Sequence, residues 1–534
     1  MTQIFDNALL FNPAVGEWRP AAFSVDDGLV SVVGIPGALK GDNVTDLSGA
    51  RVVPGLIDAH VHIESSLLTP REFGRLSLKN GVTTVIADPH EIANVSGCAG
   101  IDFMLEDAKS SPADIFFMIP SCVPATPLDK GGAVVSSKDI ASYKNTPSVI
   151  GLGEMMNVPG VLSGDPEVMA KLAVFDHIDG HAPGLSGEAL CRYISRHIKT
   201  DHECISAAEA NEKLSLGMYV LLREGDAAKN VAALSSIVND RTAARCCFCT
   251  DDRHVDSRVR EGSIDHCIRV AVKSGMSLEH ALRLATLSAA DCFGLADRGM
   301  IAPGRVADFC ILQDGAEFFV SAVYKNGIRT SSLPSHERSL DCICPPFSCR
   351  IPTKEELALP NGRLRVIGLV PGEIITESLE SSTADRVHKV VSVDRYRAEG
   401  FGVGLVTGFS FVKGAIASSV SHDAHNIIAA GVTDEEIIHA IRAVSDSGGG
   451  MAVVCDGVTT VLPLPFGGLM TPLFYEEVIK QMDELIDRLH ATGATPVAFM
   501  NLSFLSLTVI PHLRITPRGL FDGDTFKDVP ILFE

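Results

Sequence analysis

The sequence predicts an α/β protein built on a (β/α)8 barrel of the TIM type. A small β-sandwich formed by the segments that flank the barrel and an additional C-terminal α+β domain complete the predicted architecture. Between Val53 and about Leu295, eight short apolar runs are each followed by a stretch that can be helical. His, Asp and Glu lie at the C-terminal ends of these runs, where such barrels carry their active sites. Strand-like alternation precedes this region and resumes after it, so we expect the barrel to be an insertion in the small β unit.

Residues 1–52 and 296–330 are predicted to form the small β domain. In the first segment, Asp26-Asp27-Gly28 separates two apolar runs in the manner of a hairpin. In the second segment, the stretches GMIAPGRVADFCIL and VSAVYKNGIRT return to strand-like alternation. We therefore expect strands from both segments to lie in one unit.

Residues 53–295 are predicted to form the barrel, because the apolar runs keep a regular order along the chain. The eight runs are VPGLIDAHVHI, VTTVIADPH, IFFMIPSCVP, SVIGLGEMM, FDHIDGHAP, DHECIS, MYVLLREG and CCFCTDD. Residues 331–360 are rich in Ser and Pro and are predicted to be a linker. Residues 361–534 mix strand-like runs such as RVIGLVPGEIITESL with helical ones such as DEEIIHAIRAVSDS, which predicts the α+β domain.

Length and composition exclude several classes of protein. A chain of 534 residues exceeds one ordinary core, so two or three structural units are expected. Apolar residues make up 46% and charged residues 21%, and no apolar run is long enough to span a bilayer, so we expect no membrane partner. A formal net charge of −21 would repel phosphate backbones, which makes nucleic acid an unexpected partner.

The start of the chain and the cysteines indicate the compartment. The stretch MTQIFDNALLFNP has no basic segment followed by an apolar run and a cleavage site, so we expect a cytoplasmic protein. The 14 cysteines are spread over the whole chain, which in that compartment predicts thiols and no structural disulfides.

Six side chains at the strand ends form a candidate metal-ligand set. His60 and His62 lie two apart at the end of the first strand, so both point to the same side. The other four candidates are Glu154, His181, His202 and Asp251, at the ends of the fourth, fifth, sixth and eighth strands. Together they would hold two divalent ions with a water between them as the nucleophile. Ordinary core or capping residues are the alternative interpretation.

The strand order of this set resembles the amidohydrolase superfamily, and several segments resemble its adenine deaminase branch. The superfamily pattern is His-x-His on strand one, a bridging Lys or Glu on strand four, His on strands five and six, and Asp on strand eight. Many relatives use a carboxylated lysine as the bridge, whereas this chain offers Glu154. The similar segments are VVPGLIDAHVHIESS, ADPHEIANVSG, GEMMNVPGV, DGHAPGLSG, CTDDRHVD and SSVSHDAHN, which span nearly the whole chain.

The resemblance implies hydrolysis of adenine to hypoxanthine and ammonia, a reaction of purine salvage. It implies two divalent metal ions, with Mn²⁺ preferred over Fe²⁺ or Zn²⁺. Asp251 is expected to carry a proton from the water to a ring nitrogen or the leaving amine, and Glu154 to act with it as a catalytic ligand. Adenine is the expected partner molecule, and a homo-oligomer is the default assembly.

Other polar residues keep two interpretations each. Asp88 and His90 end the second strand and would orient the metal ligands, contribute to a third metal site or serve as structural caps, and Glu91 is a weaker candidate of the same kind. Asp252 and Arg253 would either orient substrate and ligands or form surface ion pairs. The cluster His422, Asp423 and His425 would contribute to the active site, cap a helix or line a subunit interface.

The sequence contains two clusters of cysteines. Cys246, Cys247 and Cys249 lack a partner pair at zinc-finger spacing and are predicted to be buried thiols, whereas the cluster Cys342, Cys344 and Cys349 stays unassigned.

The alternative functions are another amidohydrolase reaction on a cyclic amide or amidine, and a barrel that has lost catalysis and serves as a scaffold.

Overall fold

Eight parallel strands form the centre of the protein and follow one another around it in chain order. The structure is a computed structural model that describes residues 2–315, 317–332, 347–371 and 375–533, so Cys342 and Cys344 lie outside the described residues. The barrel strands are Leu56–Val61, Val82–Ala87, Asp114–Ile119, Val149–Met155, Ile178–Gly180, Thr200–Asp201, Tyr219–Arg223 and Cys246–Cys249. Every predicted apolar run therefore contributes a strand, and the DHECIS stretch begins where its short strand ends.

The barrel is closed by isolated bridges between two sheets. The first five strands pair in parallel, and so do the last three. Parallel bridges from Ile178 to Ile198 and from Val61 to Asp251 join the two sheets at both ends. The first two strands are buried along their whole length, as expected for parallel strands covered on both faces. This closure brings the ends of the first and eighth strands together.

Helices cover the outside of the barrel. In the helix Pro70–Lys79, Pro70 occupies a first-turn position that needs no backbone donor, and the helix buries Phe73 and Leu76 against the barrel. The helices of this region are Pro70–Lys79, His90–Ser96, Cys98–Ala108, Ser137–Ser142, Val158–Ser163, Pro166–Leu172, Gly187–Ile194, Ala207–Ser215, Val231–Leu234, Val255–Arg260, Ile264–Lys273, Leu278–Leu284 and Leu287–Cys292.

The small β unit is one hydrogen-bonded sheet that draws strands from both flanks of the barrel. Its strands are Gln3–Asn12, Glu17–Asp26, Leu29–Gly34, Val44–Asp46, Arg51–Pro54, Phe309–Leu312, Val320–Lys325 and Ile328–Arg329. The predicted hairpin is present, with positive φ at Asp27 (48°) and Gly28 (79°), as a two-residue turn between twisted strands requires. Phe5 packs on Phe23 and Phe309 with ring centroids 5.1 and 4.9 Å apart, so aromatic rings from both flanks share one core.

The C-terminal part is α+β, as predicted. Its main sheet contains Arg365–Leu369, Thr376–Glu380, His388–Val393, Phe401–Thr407, Ala415–Ser418, Ile427–Gly431, Gly450–Cys455 and Val458–Pro463. The helices are Asp434–Asp446, Tyr475–Ala491 and Ala498–Phe504, and a second sheet contains Leu513–Thr516, Gly519–Asp522 and Lys527–Asp528. The stretch DEEIIHAIRAVSDS, predicted to be helical, forms the helix Asp434–Asp446.

The C-terminal part packs directly on the barrel. The backbone N–H of Thr471 donates to the carbonyl of Leu67 at 2.9 Å, and the ring of Phe466 meets the ring of Phe103 edge to face at 5.4 Å. The packing lies near the strand ends that carry the candidate ligands. Over the part of the chain that the structure describes, no helix combines the length and apolar character needed to cross a membrane.

Candidate active site

His60 and His62 turn the same nitrogen toward a common point. Their Nε2 atoms lie 3.2 Å apart. The Nδ1 of His62 donates to the backbone carbonyl of Asp88 at 2.9 Å, and the Nδ1 of His60 lies 3.4 Å from a carboxylate oxygen of Asp179. These partners leave the Nε2 lone pairs facing each other, an arrangement that is repulsive unless a cation lies between them. The spacing suits two nitrogens that each bind one ion at about 2.0–2.1 Å, so the residues fit a divalent metal.

Glu154 lies between the imidazoles of the first, fifth and sixth strands. Its Oε1 is 3.4 Å from Nε2 of His62, and its Oε2 is 2.8 Å from Nδ1 of His181 and 3.2 Å from Nε2 of His202. Burial alone would raise the pKa of Glu154, but the histidines outweigh it and hold the pKa well below its usual range. A permanent carboxylate with its two oxygens facing different histidines can bridge two cations.

Asp251 completes the ring of candidate ligands from the eighth strand. Its Oδ1 is 3.1 Å from Nε2 of His62 and 3.8 Å from Nε2 of His60, while its Oδ2 accepts a hydrogen bond from Arg223. The residue adopts a positive φ of 53°, and its N–H donates to the carbonyl of His60 at 3.0 Å. Burial opposes ionisation, but Arg223 and the histidines outweigh it and lower the pKa of Asp251 well below its usual value.

The structure brings the six predicted ligands together: five of them line one cavity, and the sixth, His60, lies outside its lining with its Nε2 3.2 Å from Nε2 of His62. His181 is the most exposed of them, at 13% of its side chain, and the other side chains are nearly inaccessible. Groups of three ligand atoms within 4.8 Å of one another form repeatedly here, among them His60, His62 and Asp251, and His60, Glu154 and His202.

Asp88 and His90 lie against the candidate ligands. The Oδ2 of Asp88 accepts the backbone N–H of Glu154 at 2.9 Å, while a Cβ on Gly153 would lie 2.2 Å from the same oxygen. Only glycine at position 153 permits this contact. His90 lines the cavity with its Nδ1 3.5 Å from Oε1 of Glu154. Both residues are therefore next to the ligands, although His90 also begins a helix.

Asp252 and Arg253 have different environments although they are adjacent in the sequence. Asp252 lines the cavity and accepts a hydrogen bond from the hydroxyl of Ser65 at 2.5 Å. Arg253 is not among the residues that line the cavity. Its guanidinium is completely buried, forms an ion pair with Glu261 and donates to the carbonyl of Gly262 at 3.0 Å. Arg253 therefore holds the loop that follows the eighth strand.

Two charged residues of the cavity had not been singled out in the sequence. Glu203 follows His202 directly, and Arg223 ends the seventh strand. Arg223 binds Glu203 through both terminal nitrogens, with Nη2 to Oε2 at 2.9 Å, and also contacts Asp251. Burial would raise the pKa of Glu203, but the guanidinium outweighs it and lowers the pKa far below the usual value. The sequence contained a signal for Arg223. Among the last five barrel strands, only the seventh, Tyr219–Arg223, had no candidate ligand at its end, and Arg223 is the polar residue there.

The C-terminal domain supplies another side of the cavity. His422, Asp423, Phe504, Leu507 and Ile510 line it together with the barrel residues. Nδ1 of His422 lies 2.5 Å from Oε1 of Glu91, and His425 contacts the other oxygen of that carboxylate. The SHDAHN cluster thus lies between the two domains beside the candidate ligands.

The cysteines that the structure describes are free thiols. Cys246, Cys247 and Cys249 are buried in the eighth strand, and burial raises the pKa of each of them. Cys349 is partly buried, with its sulfur 3.0 Å from the hydroxyl of Ser445. The three cysteines of the eighth strand are therefore buried thiols, as predicted.

The chain is similar to known proteins along its whole length. Residues 51–329 match the amidohydrolase family, and residues 371–527 match the adenine deaminase C-terminal domain. An adenine deaminase of Methanoculleus marisnigri is 50% identical over 523 residues, which cover 96% of this chain and 100% of that protein. One of Methanoregula boonei is 49% identical over 541 residues, covering 99% of this chain and 96% of the relative. The protein called adenine deaminase 2 of Carboxydothermus hydrogenoformans is 42% identical over 557 residues, covering 99% and 96%.

Proposed function

The chain belongs to the adenine deaminase family of the amidohydrolases, and from that premise we propose that it hydrolyses adenine to hypoxanthine and ammonia. The observation that carries the proposal is the meeting of four imidazoles and two carboxylates from five strand ends in one cluster of largely buried side chains. In this proposal the barrel of residues 53–295 carries the chemistry. The strands of 1–52 and 296–330 support the barrel, and residues 361–534 cover the cavity.

We propose that His60, His62, Glu154, His181, His202 and Asp251 hold two divalent cations. Manganese is the preferred ion, with iron or zinc as alternatives, because imidazole and carboxylate ligands suit all three. When bound, such ions lower the pKa of water toward neutrality and so supply hydroxide for attack at the purine C6. Asp88 and His90 fix the orientation of these ligands through the contacts with Glu154.

The proton transfers are assigned to Asp251. Two protons of the attacking water must move: in this proposal the Asp251 carboxylate carries one to a ring nitrogen and the other to the amine, which departs as ammonia while the C6 oxygen becomes a carbonyl. Arg223 holds Asp251 and Glu203 in fixed positions and keeps both ionised before substrate arrives. The buried walls exclude bulk water, which strengthens each of these electrostatic contacts.

A cellular setting is also proposed for this reaction. We propose that the protein takes part in purine salvage in the cytoplasm as a homo-oligomer. Adenine is its small-molecule partner in this proposal, and neither nucleic acid nor a membrane has a role in it.

The test is the production of hypoxanthine and ammonia from adenine by purified protein reconstituted with Mn²⁺. A chelated sample controls for the metal, and adenosine controls for the purine substrate. Metal-dependent hypoxanthine formation from adenine is expected. If metal is bound but adenine is unchanged, the proposed reaction is wrong, and other cyclic amidines and amides become the substrates to test.

A further inference from the structure

Two polar side chains of the C-terminal domain, His422 and Asp423, line the cavity without a part in the proposed chemistry. His422 and Asp423 follow the strand Ala415–Ser418 and are only 3% and 6% exposed. The Oδ2 of Asp423 is buried and has no hydrogen-bond partner among the described residues. Its Oδ1 is no closer than 3.8 Å to Nε2 of His90. A buried carboxylate oxygen without a donor is costly, so its position at the cavity points to a ligand that donates to it.

The ring of His422 is fixed from two directions. Its Nδ1 lies 2.5 Å from Oε1 of Glu91, and its face stacks on Phe504 with centroids 4.5 Å apart and planes within 10°. Burial opposes charge on this ring, but Glu91 outweighs it and raises the pKa of His422 to about 9. The ring is then a cation whose Nε2–H has no acceptor among the described residues. The cavity wall thus carries one donor on His422 and one acceptor on Asp423.

A metal ion is the competing explanation of this cluster, because Glu91, His422 and His425 have their ligand atoms close together. The second ring nitrogen of His425 argues against it. The backbone N–H of Ser421 donates to Nδ1 of His425 at 3.1 Å, so the neutral ring carries its hydrogen on Nε2 and donates it to Glu91. A metal at Nε2 would move that hydrogen to Nδ1, where it would meet the Ser421 N–H. Burial lowers the pKa of His425 to about 4, which keeps the ring neutral.

We propose that His422 and Asp423 are substrate-positioning residues that bind the edge of the purine ring. The Nε2–H of His422 donates to a ring nitrogen lone pair, and the carboxylate of Asp423 accepts from a ring N–H or an exocyclic amine. Phe504, Leu507 and Ile510 supply the apolar wall next to this pair. Glu91 acts through His422, and His425 holds Glu91. The inference rests on the proposed deamination of adenine and assigns residues outside the metal-ligand set to its specificity.

The experiment compares His422→Gln and Asp423→Asn with the wild-type protein, all reconstituted with Mn²⁺. KM and kcat for adenine, the Kd for adenine by equilibrium dialysis, and the number of metal ions per chain are measured. KM and Kd are expected to rise about tenfold, the effect of one lost hydrogen bond to a charged group, while kcat and metal content change little. In a double-mutant cycle, Glu91→Gln is expected to be non-additive with His422→Gln, because Glu91 acts through that ring.

Two matched variants control for a structural effect. His388→Gln changes another buried histidine of the same domain, which packs edge to face on Phe411 and does not line the cavity. Asp434→Asn changes a carboxylate of that domain that pairs with Lys389 at the start of a helix. Neither control is expected to alter KM or Kd.

The outcomes separate this inference from the proposed function. Unchanged KM and Kd in both His422→Gln and Asp423→Asn would overturn the inference. A third ion in the wild-type protein that His422→Gln loses would overturn it in favour of a metal site. If the wild-type protein binds adenine without deaminating it, the proposed function fails, and a weaker Kd in the variants still supports the positioning role. If the wild-type protein does not bind adenine, both fail.

Discussion

The barrel side and the C-terminal side of the cavity are made from different kinds of backbone. On the barrel side, each candidate ligand lies at or just after the end of a parallel strand. On the C-terminal side, His422 and Asp423 lie in a connection between Ala415–Ser418 and Ile427–Gly431, and Phe504 ends a short helix. The regular closure of a barrel positions the first set, whereas packing between domains positions the second. The candidate metal ligands are thus positioned by the barrel strands, and the proposed substrate-positioning residues by the packing of the C-terminal domain.

The two sides also differ in chemistry. The barrel side is a dense set of imidazoles and carboxylates whose charges stabilise one another, with Arg223 fixing two of the carboxylates. The C-terminal side is largely apolar around His422 and Asp423. A change on the barrel side should therefore affect turnover and metal content, and a change on the other side should affect binding.

Metal removal should have the largest effect and should act on the barrel side alone. Dialysis against a chelator is expected to abolish deamination, because the proposed hydroxide cannot form at neutral pH without the ions. The fold should remain, since the sheets and helices have their own hydrophobic cores. Hypoxanthine formation and far-ultraviolet circular dichroism are measured before chelation, after it and after Mn²⁺ is restored. Full activity in a sample shown to be free of metal would contradict the assignment of the cluster.

Asp251→Asn and Glu154→Gln should each leave a folded but nearly inactive protein. Each removes a charged ligand rather than a core contact, and kcat is expected to fall by at least about 10²-fold, in the range seen for loss of one preorganised group. The measurements are kcat and metal ions per chain. Asp256→Asn is the matched control, because Asp256 pairs with Arg260 on the helix that follows Asp251. Wild-type turnover in either ligand variant would contradict the assignment of that residue as a metal ligand.

The same contrast explains how much of the molecule the sequence could predict. The end of a barrel strand can be recognised in the sequence as an apolar run that stops at a polar residue. This pattern predicts the barrel and all six candidate ligands. Arg223 follows the same pattern, although it was not among the predicted residues. The place of His422 depends on Glu91, 331 positions earlier in the chain, and no local pattern encodes such a contact. Arg253 shows the reverse case, because a residue two positions after Asp251 in the sequence turns into the protein away from the cavity.

Gly153→Ala should weaken the metal site without touching a ligand. The added Cβ would lie 2.2 Å from Oδ2 of Asp88, which accepts the Glu154 N–H, so Glu154 must shift. Metal affinity is expected to fall about 10- to 100-fold, as for other changes in residues that orient ligands. Titration of the apoprotein with Mn²⁺ measures the effect. Gly34→Ala is the control, since a Cβ there meets only ordinary contacts near 3.8 Å. Equal affinities in the two variants would show that Asp88 does not orient Glu154.

Arg253→Met should have the smallest effect on activity, and it should lower the free energy of unfolding. The guanidinium is fully buried, and its loss removes the ion pair with Glu261 and the hydrogen bond to the carbonyl of Gly262, while the Met chain refills part of the space. The free energy of unfolding is expected to drop by about 1–3 kcal/mol. The exposed ion pair of Arg260 with Asp483 provides the control, where Arg260→Met should cost about 0.5 kcal/mol or less. Urea denaturation gives the stabilities, and KM and metal content are measured in parallel. A large rise in KM with unchanged stability would contradict this prediction. Arg253 would then contribute to substrate binding although it belongs to the barrel, and the assignment of binding to the C-terminal side alone would be wrong.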